Sequence, residues 1–229
     1  NCIFLFQTDI ELDVAVLLLV SENEVFKPSN TGRLIADVVK ECAVFQWDRT
    51  EPAPEMLQLL TDQRYQPMVI FPSEYVAQSE RLVSLPLSIG QGKTPLLIFI
   101  DGSWREARRI FRKSPYLDTI PVLSITPQTL SQYVMRRSDN DQHLATAEVA
   151  SAVLEQLGHV DGAIILRYWF DAFRESYLMS KSRLKVNRER NALKYYIDEY
   201  HSTQSLGALS NEKLDNTAQN MVSVTLPHS

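Results

Sequence analysis

Pro95-Leu96-Leu97-Ile98-Phe99-Ile100-Asp101-Gly102-Ser103-Trp104-Arg105-Glu106-Ala107 is the stretch whose reading decides the fold. Its first six residues form an unbroken apolar run, the pattern of a strand buried on both faces. From Trp104 to Phe111 the pattern turns helical. Ser103 and Glu106 stand three apart, the spacing of a capping box, in which each residue satisfies an amide of the helix start. Asp101 is therefore expected where a buried strand ends and a helix begins. Open α/β sheets place their chemistry at that edge. A carboxylate there can act as a base, or it can simply cap or turn the chain.

Outward from this stretch, strands and helices alternate. Residues 14–20 read as a buried strand. Asn30 or Thr31 caps a helix reaching about residue 41, with Leu34, Ile35, Val38 and Val39 on its apolar face. Strands are expected at 43–47, 67–71 and 120–125, the second ending in Pro72-Ser73. A helix starts at Pro54. Thr146 is expected to cap a helix to about residue 157. Residues 161–180 and 188–200 read as two further helices. Continuous apolar strands separated by helices imply an α/β fold, a parallel sheet covered by helices on both faces. Residues 1–202 then form one domain. Residues 203–229, rich in Ser, Thr, Asn and Gln, read as a mobile polar tail.

Composition narrows the classes. The chain has 229 residues, 45% of them apolar, enough for one sizeable core. No apolar run approaches the ~20 residues of a membrane helix, so no membrane partner is expected. The N-terminus lacks the pattern of a signal peptide, and Asn1-Cys2-Ile3 looks like the interior of a longer chain or a trimmed one. Cys2 and Cys42 are the only cysteines, which gives no disulfide framework and suits a reducing, cytoplasmic compartment. His143, His159, His201 and His228 are dispersed, so no metal is expected. The net charge of −5 argues mildly against nucleic acid, but distribution matters more than the sum. Arg105, Arg108, Arg109, Arg112 and Lys113 crowd one helix. Lys181, Arg183, Lys185, Arg188, Arg190 and Lys194 crowd another segment. Each cluster is either a solvated face or an RNA surface.

Several familiar motifs fail. Gly90-Gln91-Gly92-Lys93-Thr94 lacks the first glycine of a phosphate loop, since Leu87 stands there. It also precedes a strand, whereas a phosphate loop must precede a helix. There is no GxGxxG and no GxSxG.

Three segments agree with one another: Lys27-Pro28-Ser29-Asn30-Thr31-Gly32-Arg33-Leu34; Asp101-Gly102-Ser103-Trp104-Arg105-Glu106-Ala107; and Tyr133-Val134-Met135-Arg136-Arg137 with His143-Leu144-Ala145-Thr146-Ala147-Glu148-Val149-Ala150. Together they resemble the DTW-domain proteins, and more narrowly the bacterial tRNA-uridine aminocarboxypropyltransferases. Phe71-Pro72-Ser73-Glu74 also resembles a loop of that family. Ser103 stands where the family usually has Thr, a swap that keeps the hydroxyl. Many relatives carry an N-terminal cysteine cluster suited to zinc, of which only Cys2 is found here.

The resemblance implies a SPOUT-related fold with a C-terminal knot that holds S-adenosylmethionine. It implies transfer of the 3-amino-3-carboxypropyl group to N3 of a uridine in tRNA, releasing 5′-methylthioadenosine. N3 must lose a proton, and Asp101 is the expected base; its other roles would be to hold the substrate amino group or to orient uracil. Trp104 is either core or a stacking surface for uracil or adenine. Thr31, Gly32 and Arg33 open a helix suited to the methionine carboxylate, although Arg33 can instead pair locally. Pro72 and Ser73 end a strand beside the expected cleft. Thr146 and Glu148 start another helix and belong either to the cofactor site or only to its cap. The loop from Thr126 to Thr146, with Leu144, would wrap adenine and ribose. Arg136 and Arg137 would meet the cofactor carboxylate or tRNA phosphate. SPOUT relatives often pair through the knot; a monomer is favoured here. Two other functions fit the same residues: an RNA methyltransferase of SPOUT type, and a noncatalytic RNA- or nucleotide-binding protein.

Overall fold

The computed structural model describes residues 3, 6–7, 10–124, 145–181 and 189–200. In chain order the elements are β1 (Ala15–Val20), α1 (Glu22–Val25), α2 (Arg33–Val38), β2 (Cys42–Gln46), α3 (Pro54–Thr61), β3 (Tyr65–Ile70), β4 (Leu82–Val83), β5 (Thr94–Asp101), α4 (Trp104–Lys113), β6 (Val122–Leu123), α5 (Thr146–Gln156), α6 (Val160–Lys181) and a helix over 191–200, α7. All six strands are parallel, in the order β2-β1-β5-β3-β6-β4. This is the α/β architecture that the uninterrupted apolar strands require.

Strand periodicity sorts the core into two layers. Val16, Leu18 and Val20 of β1, with Leu97 and Phe99 of β5, face α2, α5 and α6. Ala15, Leu17 and Leu19, with Leu96 and Ile98, face the other way, where Met56 of α3 and Ala107, Ile110 and Phe111 of α4 cover them. Because β1 and β5 are central, both faces of each are dry. Every β1 residue is buried, and each large aliphatic side chain so placed contributes roughly 1.5–3 kcal/mol. Trp169 of α6 is fully buried in the first layer; its indole N–H donates to Asp37 Oδ2 of α2 at 3.0 Å, and its ring meets Tyr196 of α7 at 4.8 Å. The long helix and the last described helix are thereby fixed to the sheet.

Several boundaries differ from expectation. The second helix ends at Val38, not near residue 41: Val39 turns extended and bridges Ile10, whose N–H donates to Val38 O at 2.7 Å. Thr146 does not cap α5. Ala145 holds the cap position, and its N–H donates to the Glu148 carboxylate at 3.0 Å. Thr146 is thus the first helical residue, and its hydroxyl points elsewhere. The strand expected at 120–125 is paired only over Val122–Leu123, and Ile125 lies outside the described residues. The chain between Ser124 and Ala145 also lies outside them, and with it the path a C-terminal knot requires. So do the residues of the expected tail, 203–229.

Candidate active site

Connections leave β1 and β5 in opposite directions. From β1 the chain passes through α1 and α2 to β2 on one side; from β5 it passes through α4 to β6 on the other. In open α/β sheets such a divergence marks the ligand-binding crevice, at the carboxyl ends of the two strands. Asp101 is the last residue of β5 and stands opposite Val20; its carbonyl accepts the Ser21 N–H at 2.8 Å.

The Asp101 side chain is only 4% exposed. Thr146 Oγ1 donates to its Oδ1 at 2.5 Å, and Asn30 Nδ2 donates to its Oδ2 at 2.6 Å. These two donors come from the segments that precede α2 and begin α5, so three remote parts of the sequence meet on one carboxylate. Gly32 closes the fourth side. A methyl group there would fall 2.6 Å from Asp101 Cγ and 2.7 Å from Oδ2, so only glycine lets the α2 entrance approach this closely. Burial pushes the Asp101 pKa above the ordinary value of 3.8, and Glu24 adds to the rise. The hydrogen bonds from Thr146 and Asn30, with Lys27, oppose it.

Local sequence explains each placement. Ser103 and Glu106 form the capping box: Ser103 N–H donates to Glu106 Oε2 at 2.9 Å, and Glu106 N–H donates to Ser103 Oγ. The box fixes the turn that starts α4 immediately after Asp101. Asn30 uses its whole amide. Besides bonding Asp101, it donates to Glu24 O at 3.1 Å and accepts the Arg33 N–H at 3.1 Å, which anchors α2.

A stack of rings lies beyond β5. Trp104 is half-buried and lies parallel to Phe71 at 5.6 Å. Phe71 is also stacked on Phe111 at 4.2 Å, and Tyr75 meets Trp104 edge-on at 5.1 Å. The tryptophan is thus neither wholly core nor free: it packs on the second core layer and keeps part of its surface open. Pro72 and the exposed Ser73 follow the neighbouring strand β3 to the same edge, where Ser73 N–H donates to Ser124 Oγ at 3.0 Å. The Arg33 guanidinium extends over the Phe173 ring at 5.1 Å. Glu148 is bound at the α5 start. Gly32, Asp101 and Thr146 therefore come together, with Thr31, Arg33, Pro72, Ser73, Trp104 and Glu148 along the same sheet edge. Arg136, Arg137, Leu144, Arg183 and Lys185 lie outside the described residues. Lys181 is described only as the last residue of α6.

The basic helix α4 divides by face. Arg105, Arg109 and Arg112 are exposed, with Arg109 over the Trp47 ring at 5.4 Å. Arg108 stands apart from them: it is half-buried, and its guanidinium lies over Tyr75 at 5.0 Å. Among the described residues no group of three His, Cys, Asp or Glu side chains is placed to hold a metal, and no helix is long and apolar enough to cross a membrane.

Part of the site escapes sequence reasoning. Asn30 is legible only as a cap, because nothing in a single sequence shows that the residue 71 positions before Asp101 reaches it. Tyr75 carries no signal beyond being aromatic near Pro72, and Phe71, though part of the Phe71-Pro72-Ser73-Glu74 segment, gives no sign of its stacking on Trp104.

A family model described as DTW domain matches residues 1–178, which takes in every strand of the sheet and α1 to α5. No solved structure matches the chain. The Asp-Gly-Ser-Trp turn that ends β5 lies within that match, and the chain belongs to the DTW-domain family, whose members modify tRNA.

Proposed function

We propose that the protein transfers the 3-amino-3-carboxypropyl group of S-adenosylmethionine to N3 of a uridine in tRNA. The observation that carries this reading is the Asp101 carboxylate: buried, at the carboxyl end of β5 beside β1, and held by uncharged donors. S-adenosylmethionine supplies the electrophilic carbon and a sulfur that leaves neutral, in methylthioadenosine. The N3–C bond forms as the C–S bond breaks, and the pair of that bond stays on sulfur. The N3 proton goes to Asp101. Two of the roughly four lone-pair positions of its carboxylate are occupied by Thr146 and Asn30, which leaves room to accept a proton.

The other residues of the edge suit the two reactants. The half-buried Trp104 beside Tyr75 and Phe71 offers an aromatic face to a flat base. The close approach of Gly32 brings the α2 entrance, with Thr31, against the reacting carboxylate. Arg33, exposed at that entrance, suits the carboxylate of the methionine moiety. Arg136, Leu144, Thr146 and Glu148 complete the cofactor side of this reading. The exposed α4 arginines, with Arg137, Lys181, Arg183 and Lys185, supply the tRNA surface. The protein works as a monomer in the cytoplasm.

The test is Asp101→Asn. Transfer to unmodified tRNA should fall by about 10²–10⁴-fold, the usual worth of a general base, while S-adenosylmethionine binding by calorimetry is retained. Wild-type turnover in this variant would remove Asp101 from the chemistry.

A further inference from the structure

We propose that Asn30 and Thr146 are positioning residues that aim the Asp101 carboxylate and keep it ionised, an inference that rests on Asp101 being the base. The geometry is specific. Asn30 Nδ2 and Thr146 Oγ1 reach different oxygens of one carboxylate, at 2.6 and 2.5 Å. The space beside Gly32 is too small for even a methyl group next to the carboxylate, so the two hydrogen bonds hold it within a close-packed wall. Neither donor is charged, so neither competes as strongly for the carboxylate as an arginine or lysine would.

The chemistry requires such an arrangement. A buried aspartate tends to take up a proton, and a protonated aspartate cannot accept another from N3. An ion pair would keep it charged but would depress its basicity. Two neutral hydrogen bonds favour the charged form more gently. Thr146 is also the first residue of an eleven-residue helix, whose amino end favours nearby negative charge. The charged groups around the site act through longer distances. Glu24 raises the Asp101 pKa and Lys27 lowers it, Lys27 itself being paired with Glu24 at 2.6 Å. Glu106 is held in the Ser103 capping box, Glu148 is bonded to Ala145, and the Arg33 guanidinium lies over Phe173.

Asn30 has a second duty as the α2 anchor, so truncating it confounds position with folding. Asn30→Asp avoids this. It keeps an oxygen for the Arg33 amide and replaces the donor to Asp101 by a second carboxylate. Thr146→Val removes the hydroxyl at nearly constant volume, and Thr146→Ser restores it.

The measurement is the pH titration of the Asp101 carboxyl carbon by NMR, beside the pH profile of kcat/KM. In Thr146→Val the titration and the acid limb of the profile should both move to higher pH, so that kcat/KM falls most on the acid side. Asn30→Asp should move both further, because two carboxylates within hydrogen-bond distance resist joint ionisation. Thr146→Ser should keep the wild-type titration. A titration unchanged in Thr146→Val and Asn30→Asp would overturn the positioning role. If Asp101→Asn keeps its turnover while the Asp101 titration moves in Thr146→Val, the bracing stands as geometry and the base reading falls.

Discussion

Burial disfavours ionisation of Asp101 in the folded state, so folding raises its pKa above 3.8. Well below that value both states are protonated and the group has no effect. As pH rises, the unfolded chain ionises first, and the folded protein loses stability until pH passes the raised value; the loss then levels off. Asp101→Asn lacks this loss. Urea unfolding from pH 4 to pH 7 should therefore show wild type losing ground to the variant as pH rises. Asp37, also raised by burial, is common to both proteins and cancels. Parallel curves would mean that Asp101 is not held away from water. At this scale the sequence is informative about identity and silent about partnership. Asp101 stands out because it ends an apolar run and precedes a capping box. Asn30 and Thr146 read as caps, since a hydroxyl or amide at a helix start has a local explanation. Only the fold shows that Thr146 bonds a residue 45 positions away.

Elements with a complete local signal are legible in the sequence, and those set by tertiary pairing are not. β5 and α4 carry their own instructions: apolar run, turn, reciprocal cap, then Ala107, Ile110 and Phe111 on one face. The α4 start should be sensitive to its cap. Ser103→Ala removes the hydroxyl that receives the Glu106 amide, and should destabilise the protein by about 1 kcal/mol in chemical denaturation. No change would mean that tertiary packing alone fixes the turn behind Asp101. β4, two residues long, has no signal of its own, because Leu82 and Val83 are a strand only through pairing with Val122 and Leu123. The end of α2 is misplaced by periodicity for the same reason: Val39 is apolar at helical spacing, but the Val38 carbonyl and the Lys40 N–H on either side of it pair with Ile10. Trp104 is ambiguous because half-burial in a ring stack has no sequence signature distinct from core.

Across the whole molecule, the net charge of −5 coexists with a helix of exposed arginines beside the active edge. Salt dependence of tRNA affinity distinguishes a docking surface from a solvated face. Arg105→Glu with Arg112→Glu should weaken binding and flatten the slope of log K against log salt by roughly 0.7–0.9 for each phosphate no longer neutralised. An unchanged slope would place the RNA elsewhere. Arg108 is a poor choice for this test, because its stacking on Tyr75 ties its removal to the packing around Trp104. The parallel sheet and its crevice are legible from alternating apolar runs and helices. The position of the arginines relative to that crevice is not, since it depends on which face of α4 the core takes.

The decisive measurement is a mass analysis of both products after the protein is incubated with S-adenosylmethionine and unmodified tRNA, with Asp101→Asn as the control. Methylthioadenosine together with one added aminocarboxypropyl group on uridine is the expected result, both absent with the variant. S-adenosylhomocysteine with a methyl gain on the RNA would contradict aminocarboxypropyl transfer in favour of methyl transfer, and tRNA binding with neither product would contradict it in favour of a binding protein.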